Sequence, residues 1–246
     1  MGDQQAAVKL RLATYNIHKC KGMDGRVLPD RIAEVLIALD ADVIALQEVL
    51  SISSGVLRDD QAAYLQSRLP AYTVHVGENR ILRGGSYGNV TLSRLPVTTV
   101  RNYDVTEGSR EERGVLRTDV IAGGERFHIF NAHLGTSFLE RRAQAEKLLS
   151  TAVLLGPEFQ GRRIVCGDFN EWTRGLCTRR MCAHFRSVGR EALGRRRTFP
   201  GVIPLLHLDH IYHDAELRLV GARWVRDRLT LIASDHLPIV ADFVVP

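Results

Sequence analysis

Along most of this 246-residue chain, short apolar runs alternate with amphipathic stretches. Runs too short for a helix, rich in β-branched and aromatic residues, read as strands, whereas apolar residues three and four apart read as helices. Strands are predicted over Lys9 to Ile17, Asp42 to Leu46, Tyr72 to Val76, Asn89 to Ser93, Val97 to Tyr103, Val115 to Ile121, Glu125 to Leu134, Arg163 to Cys166, Leu208 to Tyr212 and Ile239 to Val244. Pro29 to Leu39 reads as a helix, with proline in its first turn and Ile32, Val35, Leu36 and Leu39 on one stripe. Gln61 to Leu69 and Phe138 to Leu155 read as two more. The glycines in 84–88 predict a turn, and Trp172 to Pro204 predicts an irregular, arginine-rich set of loops over a functional site.

No repeat, low-complexity stretch or linker interrupts this pattern, so one domain over residues 1–246 is expected. Strands come in pairs between helices, which does not fit a simple parallel sheet. Mixed sheets packed face to face with helices outside satisfy both patterns. Chemistry is then expected on the loops at strand ends.

Composition narrows the classes only a little. No apolar stretch approaches the roughly 18 residues of a membrane span, and Met1 to Lys9 has no signal-peptide pattern. A soluble, cytoplasmic protein is the expectation, monomeric by default. Cys20, Cys166, Cys177 and Cys182 form no C-x-x-C pair and no zinc frame, so buried thiols are expected. The net charge is +5, and lysine occurs only at 9, 19, 21 and 147, so the excess is arginine. Arginine forks onto phosphate in a way lysine does not, although an arginine-rich codon bias would produce the same excess.

Polar residues able to hold metals or protons recur at the ends of apolar runs. Asn16 follows Leu12-Ala13-Thr14-Tyr15, and Glu48 follows Val43-Ile44-Ala45-Leu46. His133 ends one run, Asp168 and Asn170 another, Asp209 a third, while Asp235 and His236 precede Leu237-Pro238-Ile239-Val240. One such placement is ordinary; the recurrence is not.

In order, the chain carries Thr14-Tyr15-Asn16-Ile17, Leu46-Gln47-Glu48-Val49, Gly88-Asn89-Val90, Arg113-Gly114-Val115, Asn131-Ala132-His133-Leu134, Gly167-Asp168-Phe169-Asn170, Leu208-Asp209-His210-Ile211 and Ser234-Asp235-His236-Leu237-Pro238. This ordered set resembles the endonuclease/exonuclease/phosphatase superfamily with its DNase I-like fold. The resemblance implies an α/β architecture, a four-layer α/β/β/α sandwich of two mixed sheets, and a metal-dependent phosphoesterase. It implies Glu48 as the main metal carboxylate, with Asn16 beside it, donating or ligating, and Asp235 completing the neighbourhood. Mg²⁺ or Mn²⁺ suits such oxygen donors, with Ca²⁺ as a further possibility.

The resemblance also implies that Asp168 and Asn170 orient the attacking water and hold the phosphate. If the strand continues, both point to one face and Phe169 to the other; an Asx turn after the strand is the simpler alternative. His236 corresponds to the general base or to the group stabilising the transition state, with Asp209 fixing its tautomer. His133 matches the second histidine of DNase I and the neutral sphingomyelinases, where abasic-site endonucleases carry tyrosine, and implies a general acid or a phosphate donor. Arg113 implies a phosphate clamp, and Asn89 a contact near the scissile phosphate. His18, Lys19, Lys21, Trp172 and the Thr198-Phe199-Pro200 turn lie where loops reach a head group.

Three substrate readings remain. The first is DNA or RNA, with the arginine-rich Arg174 to Arg197 on backbone phosphates. The second is a phospholipid head group or small phosphoester. The third is a non-catalytic module binding nucleic acid or protein, which would have no need of Asp209 behind His236.

Overall fold

The computed structural model describes residues 7–159, 162–172, 175–194 and 197–246. In chain order come β1 (Lys9–Asn16), α1 (Pro29–Leu39), β2 (Val43–Ser51), α2 (Gln61–Arg68), β3 (Thr73–Leu82), β4 (Gly85–Ser93), β5 (Val97–Asp104), β6 (Gly114–Ala122) and β7 (Glu125–His133). Then follow α3 (Phe138–Leu148), β8 (Arg163–Asp168), α4 (Leu176–His184), β9 (Arg186–Ser187), β10 (Asp209–His213), β11 (Arg218–Trp224), α5 (Thr230–Ala233) and β12 (Ile239–Val244). They form two six-stranded mixed sheets, ordered β11-β12-β1-β2-β4-β3 and β5-β6-β7-β8-β10-β9.

Three apolar layers hold this together. Leu10 and Leu12 of β1 pack against Phe127 and Ile129 of β7 and Ile164 and Cys166 of β8, filling the gap between the sheets. The opposite parity of β1, Ala13 and Tyr15, packs outward on Ile32 and Leu36 of α1 and Leu65 of α2. On the far side Phe130, Val165 and Tyr212 pack on Ala145 and Leu148 of α3 and Met181 of α4. The architecture is therefore the expected α/β/β/α sandwich, with strand alternation assigning one parity to the gap and the other to the helices.

Several expectations change. The strand expected over Asp42 to Leu46 runs on to Ser51, because a bulge opposite Asn89 lets pairing with β4 resume at Val49. The glycines in 84–88 do not form one turn: Arg83 and Gly84 make the turn, and β4 begins at Gly85. The third helix stops at Leu148 rather than Leu155, and turns follow it. The stretch 172–204 is not simply irregular, since it contains α4, β9 and a π-helical turn over Gly189–Leu193. In the arginine-rich segment proposed for nucleic acid, residues 174, 195 and 196 lie outside the described residues. β11 was not expected at all. Cys20, Cys166 and Cys177 are buried as expected, whereas Cys182, expected buried with them, is half-buried.

Candidate active site

Within the gap, each inward-facing row changes character at the same end. β1 runs Leu10, Leu12, Thr14, Asn16; β7 runs Phe127, Ile129, Asn131, His133; β8 runs Ile164, Cys166, Asp168. Register does the rest: His133 pairs with Asp168, and Asp168 with Asp209, on three adjacent strands. Gly167 allows this close approach, since its φ is +135° and a Cβ there would lie 1.9 Å from the Ala132 carbonyl oxygen.

Glu48 reaches the site by breaking strand alternation. The bulge gives it a left-handed φ of 57°. Gln47 instead turns into the gap, where its Nε2 donates to Asn131 Oδ1 at 2.7 Å. Asn131 Nδ2 donates to the carbonyls of Leu46 (2.9 Å) and Val90 (3.0 Å), and Asn89 Nδ2 to those of Gly114 (2.9 Å) and Asn131 (3.1 Å). Of these carbonyls, those of Leu46 and Val90 border the bulge, so the buried amide network supplies donors where strand pairing lapses. Gln47 and Asn131 were passed over in the sequence, although both interrupt apolar runs. Asn89, expected at the phosphate, is fully buried and spends its amide hydrogens on this network.

The backbone after β1 is also bent. His18, Lys19 and Cys20 are three successive left-handed residues, with φ of 46°, 57° and 55°. Such residues cost roughly 1–2 kcal/mol each. The turn buries Cys20 in the outer core, carries Lys19 to a salt bridge with Glu48 Oε2, and brings His18 Nδ1 to 3.4 Å from Asp235 Oδ1. Gln61 Nε2 anchors it on the Lys19 carbonyl at 2.7 Å. Ser234 Oγ donates to the Asn16 carbonyl at 2.8 Å and ties the Asp235–His236 loop to β1.

Asn16 lies between two carboxylates. Its Oδ1 accepts from the His18 amide at 3.0 Å, so Nδ2 faces Glu48 Oε1 (3.2 Å) and Asp168 Oδ2 (3.0 Å). In this arrangement Asn16 donates rather than offering oxygen. Asn170 does not continue the strand. β8 ends at Asp168, Asn170 takes a φ of 50°, its amide donates to Asp168 Oδ1 at 2.8 Å, and its Nδ2 to the Leu134 carbonyl at 2.8 Å. The Asx turn and the site placement are thus the same feature, while Phe169 is buried in the outer core.

His236 stands between two aspartates, Nδ1 at 2.8 Å from Asp209 Oδ2 and Nε2 at 3.6 Å from Asp168 Oδ2. Burial alone would lower its pKa, but Asp209 and Asp168 push it up to about 10, so the ring is an imidazolium at neutral pH. Asp209 is held down because His236 outweighs its burial. Asp168 is pushed up, chiefly by burial and secondarily by the Asp209 charge, against the pull of His236.

His133 behaves oppositely. Burial and the neighbouring Arg113 guanidinium lower it to about 3, and it stays neutral. Arg113 Nη1 lies 3.1 Å from its Nδ1, and its Nε2 is 3.7 Å from Asp168 Oδ2. Arg113 is itself buried and paired with Glu111 at 2.8 Å. Burial raises Glu48, yet His133 and the Lys19 ammonium bring it below the ordinary carboxylate range. With His133 neutral, Lys19 is the working partner.

The donors fit a hard divalent cation. Glu48 is reachable from solvent at 18% side-chain exposure, already balances a cation, and has Asp168 across Asn16. Asp168, Asp209 and His236 form a second candidate group, with ligand atoms within 4.8 Å of one another. There Asp209 is committed to His236.

A family model described as the Endonuclease/Exonuclease/phosphatase family matches residues 13–236. The chain belongs to this family. It is 29% identical to the uncharacterized protein YbhP of Escherichia coli strain K12 over 255 residues, covering 98% of this chain and 99% of YbhP. Solved structures share the fold. The Bacteroides thetaiotaomicron mannosyl-6-phosphatase Bt3783 has a TM-score of 0.80 at 17% identity, over 96% of this chain and 99% of that one. Danio rerio TDP2 complexed with a single-strand DNA product has a TM-score of 0.72 at 20% identity, over 96% and 98%. Family membership makes the chain a phosphoester hydrolase in the broad sense. No helix among the described residues is long and apolar enough to cross a membrane.

Proposed function

We propose that the chain hydrolyses a phosphodiester at the mouth of the inter-sheet gap, with Mg²⁺ or Mn²⁺ held by Glu48 and assisted by Asp235. The observation that carries this is His236 between Asp209 (2.8 Å) and Asp168 (3.6 Å), with Asp168 in turn paired in register with His133. A bound divalent ion supplies charge neutralisation for the phosphate oxygens. The remaining work falls to the side chains. Asp168, with its raised pKa, accepts the proton of the attacking water, while the Asn16 amide and the Asn170 backbone amide hold its oxygens in place. As an imidazolium, His236 stabilises the charge gathering on phosphorus-bound oxygen, and Asp209 keeps its ring oriented. Neutral His133, oriented by Arg113, serves as a hydrogen-bond donor rather than as an acid. Water adds to phosphorus as its proton passes to Asp168, one P–O ester bond breaks, and the leaving oxygen is protonated by solvent, to which Asp168 returns its proton; the products are a phosphomonoester and an alcohol.

Bis-p-nitrophenyl phosphate tests this reading. Turnover should require Mg²⁺ or Mn²⁺, stop with EDTA, and fall at least about a hundredfold in Asp168→Ala; an Asp168→Ala variant that keeps its activity sinks the mechanism. DNA or RNA as the diester is a second reading, favoured by the net charge of +5 and tested by plasmid nicking in the same buffers.

A further inference from the structure

The described surface sorts its exposed large apolar side chains unevenly. All but Ile37, Val76, Val100 and Val220 lie in segments at the end of the sandwich that carries the site. The densest group is a hairpin. Phe199 and Leu206 pair across it, with the amides of Leu206 and Leu205 donating to the Phe199 carbonyl at 2.7 Å. Its tip exposes Val202, Ile203 and Leu205, at 44, 67 and 56%. Phe138, Leu139 and Trp172, on the segments that follow His133 and Asn170, are exposed beside the same site.

This hairpin is tied to the catalytic residues. The Phe199 ring packs 5.0 Å from that of His236, the Gly201 amide donates to the Asp235 carbonyl at 2.6 Å, and the Leu237 amide donates to the Thr198 carbonyl at 2.9 Å. Thr198 Oγ1 accepts from the Asp209 amide at 3.4 Å. An apolar tip held rigidly in water gains nothing by itself; contiguous exposed apolar side chains mark a surface that something covers.

We infer that this end of the molecule docks on a bilayer containing anionic phospholipid, and that the phosphodiester taken by the site is a phospholipid head group. The inference rests on the phosphodiesterase reading above. Its physical basis is the juxtaposition itself. A substrate whose phosphate lies against His236 and Asp168 must also meet aliphatic side chains one hairpin away. A nucleic-acid backbone offers further phosphates and sugars there, whereas a lipid offers acyl chains. Charge points the same way. The sequence has no acid between Glu191 and Asp209, and in the loops at this end exposed Lys21, Arg26, Arg58, Arg83, Arg110, Arg197, Arg226 and Arg228 outnumber exposed Asp24, Asp59, Glu111, Glu112 and Asp227. Basic side chains at that level are attracted by an anionic leaflet.

Sedimentation and turnover on phosphatidylglycerol vesicles, with phosphatidylcholine vesicles as the neutral comparison, test the inference. The variant Val202→Ser/Ile203→Ser/Leu205→Ser changes exposed tip residues and leaves the site intact. The unaltered protein should sediment with phosphatidylglycerol vesicles and convert their lipid to a phosphomonoester. The triple variant should lose about tenfold or more of both vesicle binding and lipid turnover, while cleaving bis-p-nitrophenyl phosphate at the original rate. Original protein that stays in the supernatant overturns the inference, as does a triple variant that binds and cleaves vesicles equally well. A triple variant defective only in plasmid nicking assigns the hairpin to nucleic acid and overturns it too. Failure to cleave the small diester sinks the phosphodiesterase reading separately, because sedimentation still reports on docking.

Discussion

Two aspartate–histidine pairs of almost equal length occur in this molecule. Asp209 and His236 are 2.8 Å apart at the mouth of the gap, and Asp119 and His128 are 2.9 Å apart on the outer face of the second sheet. Both are buried, and both match the carboxylate–histidine arrangement of hydrolases. The second side of each pair separates them. His236 turns its other nitrogen toward Asp168 and the site. At the other pair, Arg117 takes both oxygens of Asp119, at 2.8 and 2.6 Å, and lies 4.4 Å over the Phe159 ring. That carboxylate is neutralised and roofed by an aromatic side chain. The pair alone therefore carries no chemistry; the groups facing it decide.

The largest effect that would sharpen this contrast is structural. Asp119→Ala leaves the Arg117 guanidinium buried without its partner and should lower the unfolding free energy by about 3 kcal/mol or more in urea denaturation. Small-diester turnover should stay within about twofold. A large loss of turnover in folded Asp119→Ala would mean that the two pairs are not independent.

Next is a third buried histidine, on the opposite face of β10 from Asp209. Burial lowers His210 to about 3 from an ordinary 6.5. Its folded pKa is depressed, so the unfolded chain binds the proton first on acidification. The stability it contributes is full above pH 6.5 and is lost as pH falls toward 3. By pH 4 the loss is on the order of 3 kcal/mol. His210→Phe should therefore flatten the stability curve between pH 6.5 and 4, with the remaining slope coming from groups such as His133. An unchanged slope would contradict the burial argument.

His236→Ala should lower turnover at least about a hundredfold, equivalent to roughly 2.7 kcal/mol of transition-state stabilisation. His128→Ala should leave turnover unchanged; equal losses in the two variants would erase the distinction between the pairs. The smallest effect concerns the metal. Lys19→Met removes the cation that contests Glu48, and Mg²⁺ affinity by titration calorimetry should rise about fivefold, in line with roughly 1 kcal/mol for a partly exposed ion pair. No change in affinity would show that Lys19 and the metal do not compete.

Much of this could be read before any coordinates. Alternation in β1 puts Leu12 and Asn16 on one face, and the inward rows of β7 and β8 likewise end in His133 and Asp168. The gap composition and its polar mouth were therefore legible as local pattern. The expected boundaries of α1 and β12 match the structure because proline and apolar spacing are local signals. Glu48 was legible as a residue type, but not its route into the site. The bulge that turns it there depends on Gln47 meeting Asn131 across 84 positions of sequence. Val202 and Ile203 lie in the stretch expected to be irregular and arginine-rich, and only the pairing of Phe199 with Leu206 and the exposure of the tip mark a hairpin there.

From sequence alone came the parity of the strands that carry the site, the residue types at their ends and the family those motifs resemble, because period-two alternation and short motifs are properties of neighbouring residues. The tertiary structure decided register, and with it which acids flank His236. It also decided that His236 is charged while His133 is neutral, since a histidine's pKa depends on burial and on charges brought in from distant strands.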